Sequence, residues 1–288
     1  MVKGLRFTVI VEDTLSKKLK SFESLRVEHG LSFYLKLTSG EGKDHCIIVD
    51  TGPPSSIVVQ NAEVLHVDLG RTDTIVLTHG HYDHIGGLLS LLRHINKRIP
   101  IIAHPRIFEP KLAYKPFLTS VGAPFSKHDV EAVGGLLILS RNPIAISEDV
   151  FSTGEIERVT GYEDVKGFWT VSRERFIEDM MIDEQALVIK VDGKGLVIIS
   201  GCSHSGIINA IHYAKKMMKV EKIYAVVGGL HLSNASEERI KKTMEDLKKI
   251  DPEILYLGHC TGKKAVETLR ESFGDRCETL FTGLSVNL

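Results

Sequence analysis

The amino-acid sequence predicts an α+β fold in which β-sheets pack on one another and helices cover them from outside. Two observations support this prediction: each half of the chain opens with short strand patterns, and each then continues into helical patterns. No Pro-rich or Gly-rich spacer separates the halves, so we predict a single domain over residues 1–288. A chain of this length can bury a substantial apolar core.

The N-terminal half contains five strand patterns and one helical pattern, each identified from the spacing of its apolar residues. The predicted strands span residues 5–11, 31–37, 46–49, 74–77 and 101–103, and the predicted helix spans residues 85–95. The fourth strand runs directly into a segment that is rich in His and Gly. This junction is the first candidate for a functional loop.

Residues 105–181 form the least regular part of the chain, with five of the nine prolines and the only tryptophan. An irregular segment of this length inside a compact enzyme is typical of a lid or wall over an active site. The alternative is a set of loops around short strands. The sequence leaves both interpretations open.

The C-terminal half begins with a predicted hairpin and then alternates strands with helices. The predicted strands span residues 186–191, 196–200, 223–227 and 254–257, and two predicted helices span residues 206–219 and 263–272. A third helix lies between them, with Asn234 as its predicted cap and Glu237 three residues later.

The composition argues against several classes of protein. The formal net charge of −1 argues against a general nucleic-acid binder. No apolar run reaches the roughly 18 residues of a membrane-spanning helix, and Met1–Ile10 predicts a strand rather than a signal peptide.

The four cysteines do not suggest a disulfide framework in a chain of this length, so we expect a cytoplasmic protein. Only two glutamines, beside abundant Lys, Glu and Ile, favour a thermophilic source.

The densest group of reactive side chains lies in residues 78–87, Thr-His-Gly-His-Tyr-Asp-His-Ile-Gly-Gly, directly after the fourth predicted strand. Alternate residues of an extended loop point to one side, so His79 and His81 can bind one cation. Asp83 and His84 follow at the turn into a helix and point to a neighbouring position. Imidazole and carboxylate together favour Zn, Fe or Mn over Ca or Mg. The alternative interpretation is a solvated, His-rich loop.

This segment resembles the HxHxDH signature of the metallo-β-lactamase superfamily. The resemblance extends to Asp50-Thr51-Gly52 at an earlier strand end and to Gly258-His259 at a later one. It implies a four-layer αββα sandwich with one or two divalent metal ions between the edges of its sheets. Zn is the first expectation for the metal, with Mn or Fe as alternatives.

The resemblance also implies a role for each residue of the signature. His79 and His81 would bind one metal ion, whereas Asp83, His84 and His259 would bind the other. Asp50 would support one of these histidines from behind and fix its orientation. Asp50 as a simple cap of its turn is the alternative.

The hairpin before residue 204 departs from the family pattern. The family usually supplies a further His before this hairpin and a bridging Asp after it, but here Asp183 and Glu184 precede it and Cys202 follows it. We expect His204, two residues past Cys202, to complete the first metal site. Cys202 would be a ligand, a thiol that supports the ligands, or a small buried residue. Because a bridging carboxylate is missing, the sequence leaves open whether both metal sites are occupied.

Three further segments are weaker candidates for the site. His231 would contact the substrate or, like Asp83, move a proton, with a structural role as the alternative. The backbone N–H groups of Cys260-Thr261-Gly262 would hold an anion. Glu28-His29-Gly30 either reaches the site or forms a surface turn, and the sequence favours the surface turn.

Several motifs together are similar to one branch of the superfamily, named after the dihydropterin–ribofuranosyl-aminobenzene phosphate synthase of methanopterin biosynthesis. These motifs are Glu28-His29-Gly30-Leu31-Ser32, Asp50-Thr51-Gly52-Pro53, Gly80-His81-Tyr82-Asp83-His84, Gly201-Cys202-Ser203-His204, Gly229-Leu230-His231-Leu232 and Gly258-His259-Cys260-Thr261-Gly262. The enzyme that gives this branch its name joins a dihydropterin diphosphate to an aryl amine that carries a ribose phosphate.

Three functions are compatible with this resemblance. We expect first a metal-dependent hydrolase that uses a metal-bound hydroxide on a small phosphoester, ester or lactone. The alternative is a synthase of the pterin type, in which an amine attacks carbon as a diphosphate leaves. A non-catalytic, metal-bound sensor is the third. The expected partner is a small, phosphate-bearing molecule rather than a nucleic acid or a membrane, and the oligomeric state stays open.

Overall fold

The computed structural model of the chain describes residues 1–16, 24–114, 116–172 and 174–288. The N-terminal part consists of β1 (Val2–Val11), β2 (Ser32–Ser39), β3 (Asp44–Val49), α1 (Ile57–Val64), β4 (Thr74–Val76), α2 (Tyr82–Ile85), α3 (Leu88–Ile95) and β5 (Ile99–Ala103). The middle part consists of β6 (Leu112–Tyr114), β7 (Leu118–Ser120), α4 (Lys127–Ala132), β8 (Gly135–Leu139), β9 (Ile144–Ser147), β10 (Val150–Ser152), β11 (Phe168–Ser172) and β12 (Arg175–Glu178).

The C-terminal part consists of β13 (Leu187–Val191), β14 (Gly195–Ile199), α5 (Ile207–Met218), β15 (Ile223–Gly228), α6 (Glu237–Ile250), β16 (Ile254–Leu257), α7 (Lys263–Phe273), β17 (Cys277–Thr279) and β18 (Ser285–Asn287). Short 3₁₀ turns add Leu69–Arg71, His259–Thr261 and Gly274–Arg276. In the described part of the chain, no helix has the length and apolar content that crossing a membrane requires.

Among the described residues, fourteen strands join into one hydrogen-bonded network, whose main path runs β17-β16-β15-β14-β13-β1-β2-β3-β4-β5-β8. Strands β3, β4, β5 and β8 are parallel to one another, and so are β14, β15, β16 and β17. The two halves of the path meet where β1 pairs with β13, at Val2 and Val191. A separate four-stranded sheet, β12-β11-β6-β7, comes from the middle part.

The two halves of the network pack face to face because apolar residues alternate along their strands. Phe7 and Val9 of β1 and Val197 and Ile199 of β14 belong to one buried cluster between the halves. Across it, the ring of Phe7 meets the ring of Tyr256 edge to face, with centroids 5.2 Å apart. Each such large side chain contributes about 1.5–3 kcal/mol on burial.

Helices cover the two outer faces of this sandwich. Apolar residues of α1, α3 and α4 pack on the N-terminal half, and those of α5, α6 and α7 pack on the C-terminal half. The result is the αββα order of layers that the resemblance implies.

The layers bring several strand ends to one edge of the sandwich. Because β3 and β4 are parallel, Asp50 and Thr78 leave their strands side by side. Glu12, which follows β1, accepts a 2.7 Å hydrogen bond from the backbone N–H of His259, which follows β16. The loops of both halves therefore meet at this edge.

The predicted helix over residues 85–95 was wrong in its bounds. The structure has two helices there, α2 and α3, with Gly86 and Gly87 between them. The N–H of Gly87 donates to the carbonyl of Gly52 at 3.1 Å instead of continuing a helix. The predicted cap of α6 was also wrong: the side chain of Ser236, rather than Asn234, accepts from the N–H of Arg239.

Gly87 also permits the close approach of two backbones beside the His-rich segment. A Cβ added to Gly87 would lie 2.2 Å from the carbonyl oxygen of Thr51, whereas a Cβ on Gly4 would have nothing within 4 Å. We therefore expect Gly87→Ala to lower the free energy of unfolding by about 1–3 kcal/mol and Gly4→Ala to leave it nearly unchanged. Urea denaturation of both variants tests this, and equal stability of the two would contradict the packing described.

Candidate metal centre

Loops after β3, β4, β14, β15 and β16 position the polar side chains at this edge. Four non-glycine residues of these loops have positive φ: Asp50 (57°), Ser203 (58°), His231 (49°) and His259 (49°). Such backbone conformations cost free energy and persist only where surrounding contacts hold them. The loops at this edge are therefore held in fixed shapes around the side chains that they carry.

The first imidazole set consists of His79, His81 and His204. All three side chains are buried, and one ring nitrogen from each lies within 4.8 Å of the others. Nε2 of His79 lies 3.2 Å from Nδ1 of His81. Nε2 of His81 and both ring nitrogens of His204 have no hydrogen-bond partner in the described part of the chain. The set thus brings three buried rings close together with several nitrogens unpaired.

The second set consists of Asp83, His84 and His259, with donor atoms again within 4.8 Å of one another. Nε2 of His84 and Nε2 of His259 are 3.2 Å apart. Oδ2 of Asp83 lies 3.7 Å from the first of these nitrogens and 3.4 Å from the second. One carboxylate and two imidazoles therefore converge beside the first imidazole set.

Two carboxylates lie behind the second set and orient its rings. Oδ2 of Asp50 lies 2.7 Å from Nδ1 of His84, and Asp50 also accepts two 2.7 Å hydrogen bonds from the backbone N–H and hydroxyl of Thr78. Oδ1 of Asp13 lies 3.0 Å from Nδ1 of His259. When each Nδ1–H donates to its carboxylate, Nε2 of both rings is left to face the centre.

Burial and charge set the protonation of these groups. Burial holds the pKa of His79, His81 and His204 well below the usual value, so the first imidazole set is neutral at pH 7. Burial would raise the pKa of Asp83, but the imidazoles of His84 and His259 outweigh it and hold this pKa well below its usual range. The first imidazole set and Asp83 are therefore in the forms that bind metals, whereas neighbouring carboxylates raise the pKa of His84 and of His259, so these two rings release protons when a metal ion binds.

These residues fit divalent metal ions. Two nitrogens that bind one tetrahedral Zn²⁺ at about 2.0–2.1 Å stand about 3.3 Å apart, close to the separation of 3.2 Å between the rings of His79 and His81. Without a metal ion, the buried nitrogens of His204 would cost free energy that no contact with another described residue returns. Three imidazoles without a carboxylate, next to two imidazoles with one, suit Zn, Fe or Mn.

His29 lies in an exposed bend, with 54% of its side chain accessible, and it also reaches the site, so both interpretations of this segment hold. Its ring lines the cavity in front of the centre and stacks on His259, with centroids 5.0 Å apart. Nδ1 of His29 lies 3.1 Å from Oδ2 of Asp13, and Nε2 lies 3.3 Å from Oδ2 of Asp83. One signal in the sequence could have indicated this position of His29. The acidic pair Glu12-Asp13 follows the first strand, and a carboxylate there can pair with a histidine.

Cys202, His231 and Cys260 form a further group on the wall of the same cavity. Their side-chain donor atoms lie within 4.8 Å of one another. Sγ of Cys202 also lies 3.1 Å from Nε2 of His84, so this thiol takes the position between the two histidine sets. The sequence singled out each of these residues but not their proximity.

A cavity of about 870 Å³ opens in front of all these groups. The middle part of the chain contributes to its walls, including Tyr114 of β6 and Phe168 of β11. The ring of Phe168 lies 4.8 Å from that of His81 and 5.3 Å from that of His204, measured between centroids. Residues 105–181 thus contain short strands, as one interpretation had it, and they also face the centre.

A buried ion-pair group, missed at the sequence level, ties the middle part to the His-rich loop. Nζ of Lys111 lies 2.9 Å from a carboxylate oxygen of Asp179 and 2.7 Å from one of Asp183. The other oxygen of Asp183 accepts a 2.8 Å hydrogen bond from the backbone N–H of Gly80, between the two ligand-like histidines. Asp183 therefore fixes the backbone that carries His79 and His81.

Comparison with known proteins adds a family and several relatives. A family model described as the metallo-β-lactamase superfamily matches residues 27–215. The chain is 38% identical over 262 residues to the 7,8-dihydropterin-6-methyl-4-(beta-D-ribofuranosyl)-aminobenzene-5'-phosphate synthase of Methanocaldococcus jannaschii, covering 89% of this chain and 88% of the relative.

Solved structures show the same likeness. A metal-dependent hydrolase of the beta-lactamase superfamily superposes with a TM-score of 0.81 at 26% identity, covering 98% of each chain. Zn(2+)-bound PqqB from Methylobacterium extorquens shares the fold, with a TM-score of 0.55 at 13% identity over 98% of this chain and 100% of that one.

The buried ion-pair group makes a prediction about stability. Lys111→Met leaves the buried carboxylates of Asp179 and Asp183 without their cation, so we expect a loss of about 3–5 kcal/mol in the free energy of unfolding. The matched control is Lys43→Met, because the ion pair of Lys43 with Glu41 is exposed and such pairs contribute about 0–1 kcal/mol. Chemical denaturation measures both, and similar small losses in the two variants would contradict the account.

Proposed function

Because the chain belongs to the metallo-β-lactamase superfamily, we propose that its edge site is a metal centre for chemistry on a small, phosphate-bearing substrate. His79, His81 and His204 would hold one divalent ion. Asp83, His84 and His259 would hold a second. The observation that carries this proposal is the buried, unpaired nitrogens of the first imidazole set beside a carboxylate–imidazole set.

For the reaction, we favour condensation of a dihydropterin diphosphate with an aryl amine. The relative with 38% identity over nearly the whole chain is a synthase of this kind. We therefore favour condensation over hydrolysis, although the sequence alone favoured hydrolysis. In this reaction an N–C bond forms, the C–O bond to the diphosphate breaks, and the amine loses a proton.

The cavity supports this choice. Its volume of about 870 Å³ is at the large end of ordinary small-molecule sites. The ring of Phe168 stands over the centre and offers a flat apolar surface to a planar heterocycle. Such a wall would also keep water away from the reacting carbon, which condensation requires and hydrolysis does not.

The metal ions and the residues of the cavity would have separate roles in this reaction. Metal ions bound at the two sets would act as Lewis acids on the leaving diphosphate. His29 lines the cavity, and its Nε2, 3.3 Å from Oδ2 of Asp83, would accept the amine proton while Asp83 holds the second ion. Asp13 holds His29 through Nδ1 and so keeps Nε2 directed at Asp83.

Hydrolysis is the second candidate function. It is supported by the metal-dependent hydrolase that superposes with a TM-score of 0.81 at 26% identity. His29 would then accept a proton from water instead of one from an amine. Both functions use the same centre, so the identity of the nucleophile is what an experiment must establish.

The direct test is mass-spectrometric detection of product. We would incubate the metal-loaded chain with the dihydropterin diphosphate and the ribofuranosyl-aminobenzene phosphate, and we expect the condensed product. His84→Ala removes a ring from the second set, so the product should fall below one hundredth of the wild-type amount. His212→Ala, an exposed histidine outside the site, is the matched control and should keep full activity.

Two other outcomes would count against condensation. A free pterin alcohol, with the amine untouched, would establish the hydrolytic reaction for this substrate. Undiminished condensation by His84→Ala would contradict the assignment of the second set to the reaction.

A further inference from the structure

Three loops of the C-terminal half bring two thiols and one imidazole together. Cys202 follows β14, His231 follows β15 and Cys260 follows β16, and because these strands are parallel their ends lie in a row. One donor atom from each residue lies within 4.8 Å of the other two. We call these residues the thiol set.

The side-chain atoms of the thiol set are only partly hydrogen-bonded. Both cysteines are free thiols. Cys260 donates a 3.3 Å hydrogen bond to the backbone carbonyl of Cys202, and Nδ1 of His231 has no hydrogen-bond partner in the described part of the chain. The backbone of His231 and of Ser203 and His259, the neighbours of the two cysteines, has positive φ. Strained backbone that holds unsatisfied donor atoms is typical of a binding site rather than of a packed core.

We propose that Cys202, His231 and Cys260 bind a divalent ion of the Zn²⁺ type, in addition to the ions held by the two histidine sets. Two thiolates and one imidazole select Zn²⁺ over Mg²⁺, Ca²⁺ or Mn²⁺ because they are soft ligands. Three protein ligands leave a fourth position open, as in catalytic rather than structural zinc sites. Because all three residues line the cavity, an ion that they held could bind an anionic group of the substrate.

Cys202 connects this site to the histidine sets. Its Sγ lies 3.1 Å from Nε2 of His84 and also within 4.8 Å of the donor atoms of His231 and Cys260. A thiolate at this point can contact ions on both sides, which gives Cys202 the bridging position that a carboxylate usually fills in this family. Binding is not a redox step: each thiol loses its proton to solvent as its sulfur–metal bond forms.

This proposal goes beyond the proposed function, which needs the histidine sets alone. It also gives His231 a role other than substrate contact. A ring nitrogen that binds a metal ion is no longer free to bind substrate or move a proton.

The test is a Co²⁺ titration of the full chain, stripped of metal by chelation and kept reduced under argon. Thiolate-bound Co²⁺ gives strong near-ultraviolet charge-transfer absorption, whereas imidazole- and carboxylate-bound Co²⁺ gives only weak visible bands. We expect the wild type to show the strong absorption and to bind one more equivalent of Co²⁺ than Cys260→Ser and His231→Ala do. Cys277→Ser, a buried cysteine of β17 outside the cavity, is the matched control and should titrate like the wild type.

Equal stoichiometry and equal absorption in the wild type and Cys260→Ser would overturn the proposal, since Cys202 would then serve the histidine sets alone. Far-ultraviolet circular dichroism of each variant checks folding, and Cys260→Ala provides a second variant if Cys260→Ser fails to fold. His81→Ala separates this proposal from the proposed function. It should lose an equivalent of Co²⁺ at the first imidazole set and retain the thiolate absorption.

Discussion

The carboxylate of Asp50 holds the edge of the sandwich together. It accepts hydrogen bonds from the backbone N–H and hydroxyl of Thr78 and from Nδ1 of His84, each at 2.7 Å, while it is itself fully buried. It thereby links the end of β3 to the end of β4 and to the first turn of α2. A buried carboxylate persists only when its partners compensate the loss of water. The positions of His79 and His84 depend on this compensation, because both rings leave the loop that Asp50 anchors.

Other buried polar groups around the centre are also hydrogen-bonded or neutralised by a partner. Asp13 supports His259, Asp183 supports the backbone of Gly80, and Lys111 in turn neutralises Asp183. At the centre itself, buried nitrogens of His81, His204 and His231 have no hydrogen-bond partner among the described residues. Supported ligands around unpaired nitrogens are the arrangement expected of a site that binds metal ions and then substrate.

Local patterns in the sequence were sufficient to predict the layers and the candidate centre. The alternation of apolar residues and the HxHxDH segment both depend on neighbours in the chain, and the structure brings His204 and His259 to the His-rich loop as the resemblance implied. Contacts between distant residues were not predictable in this way. His29 meets Asp83, and Lys111 meets Asp183, only through the fold. The reaction was also beyond the sequence, because the same ligands serve an attacking amine and an attacking water.

The most direct test of the central claim is anomalous diffraction from crystals of the chain grown with Zn²⁺, with data collected on both sides of the zinc absorption edge. The account predicts an anomalous peak between His79, His81 and His204 and a second one against Asp83 and His84. A map with zinc peaks only at surface residues, and none at this edge of the sandwich, would contradict it. The buried nitrogens would then need another partner, and the likeness to the metallo-β-lactamase superfamily would extend to the fold but not to its metal chemistry.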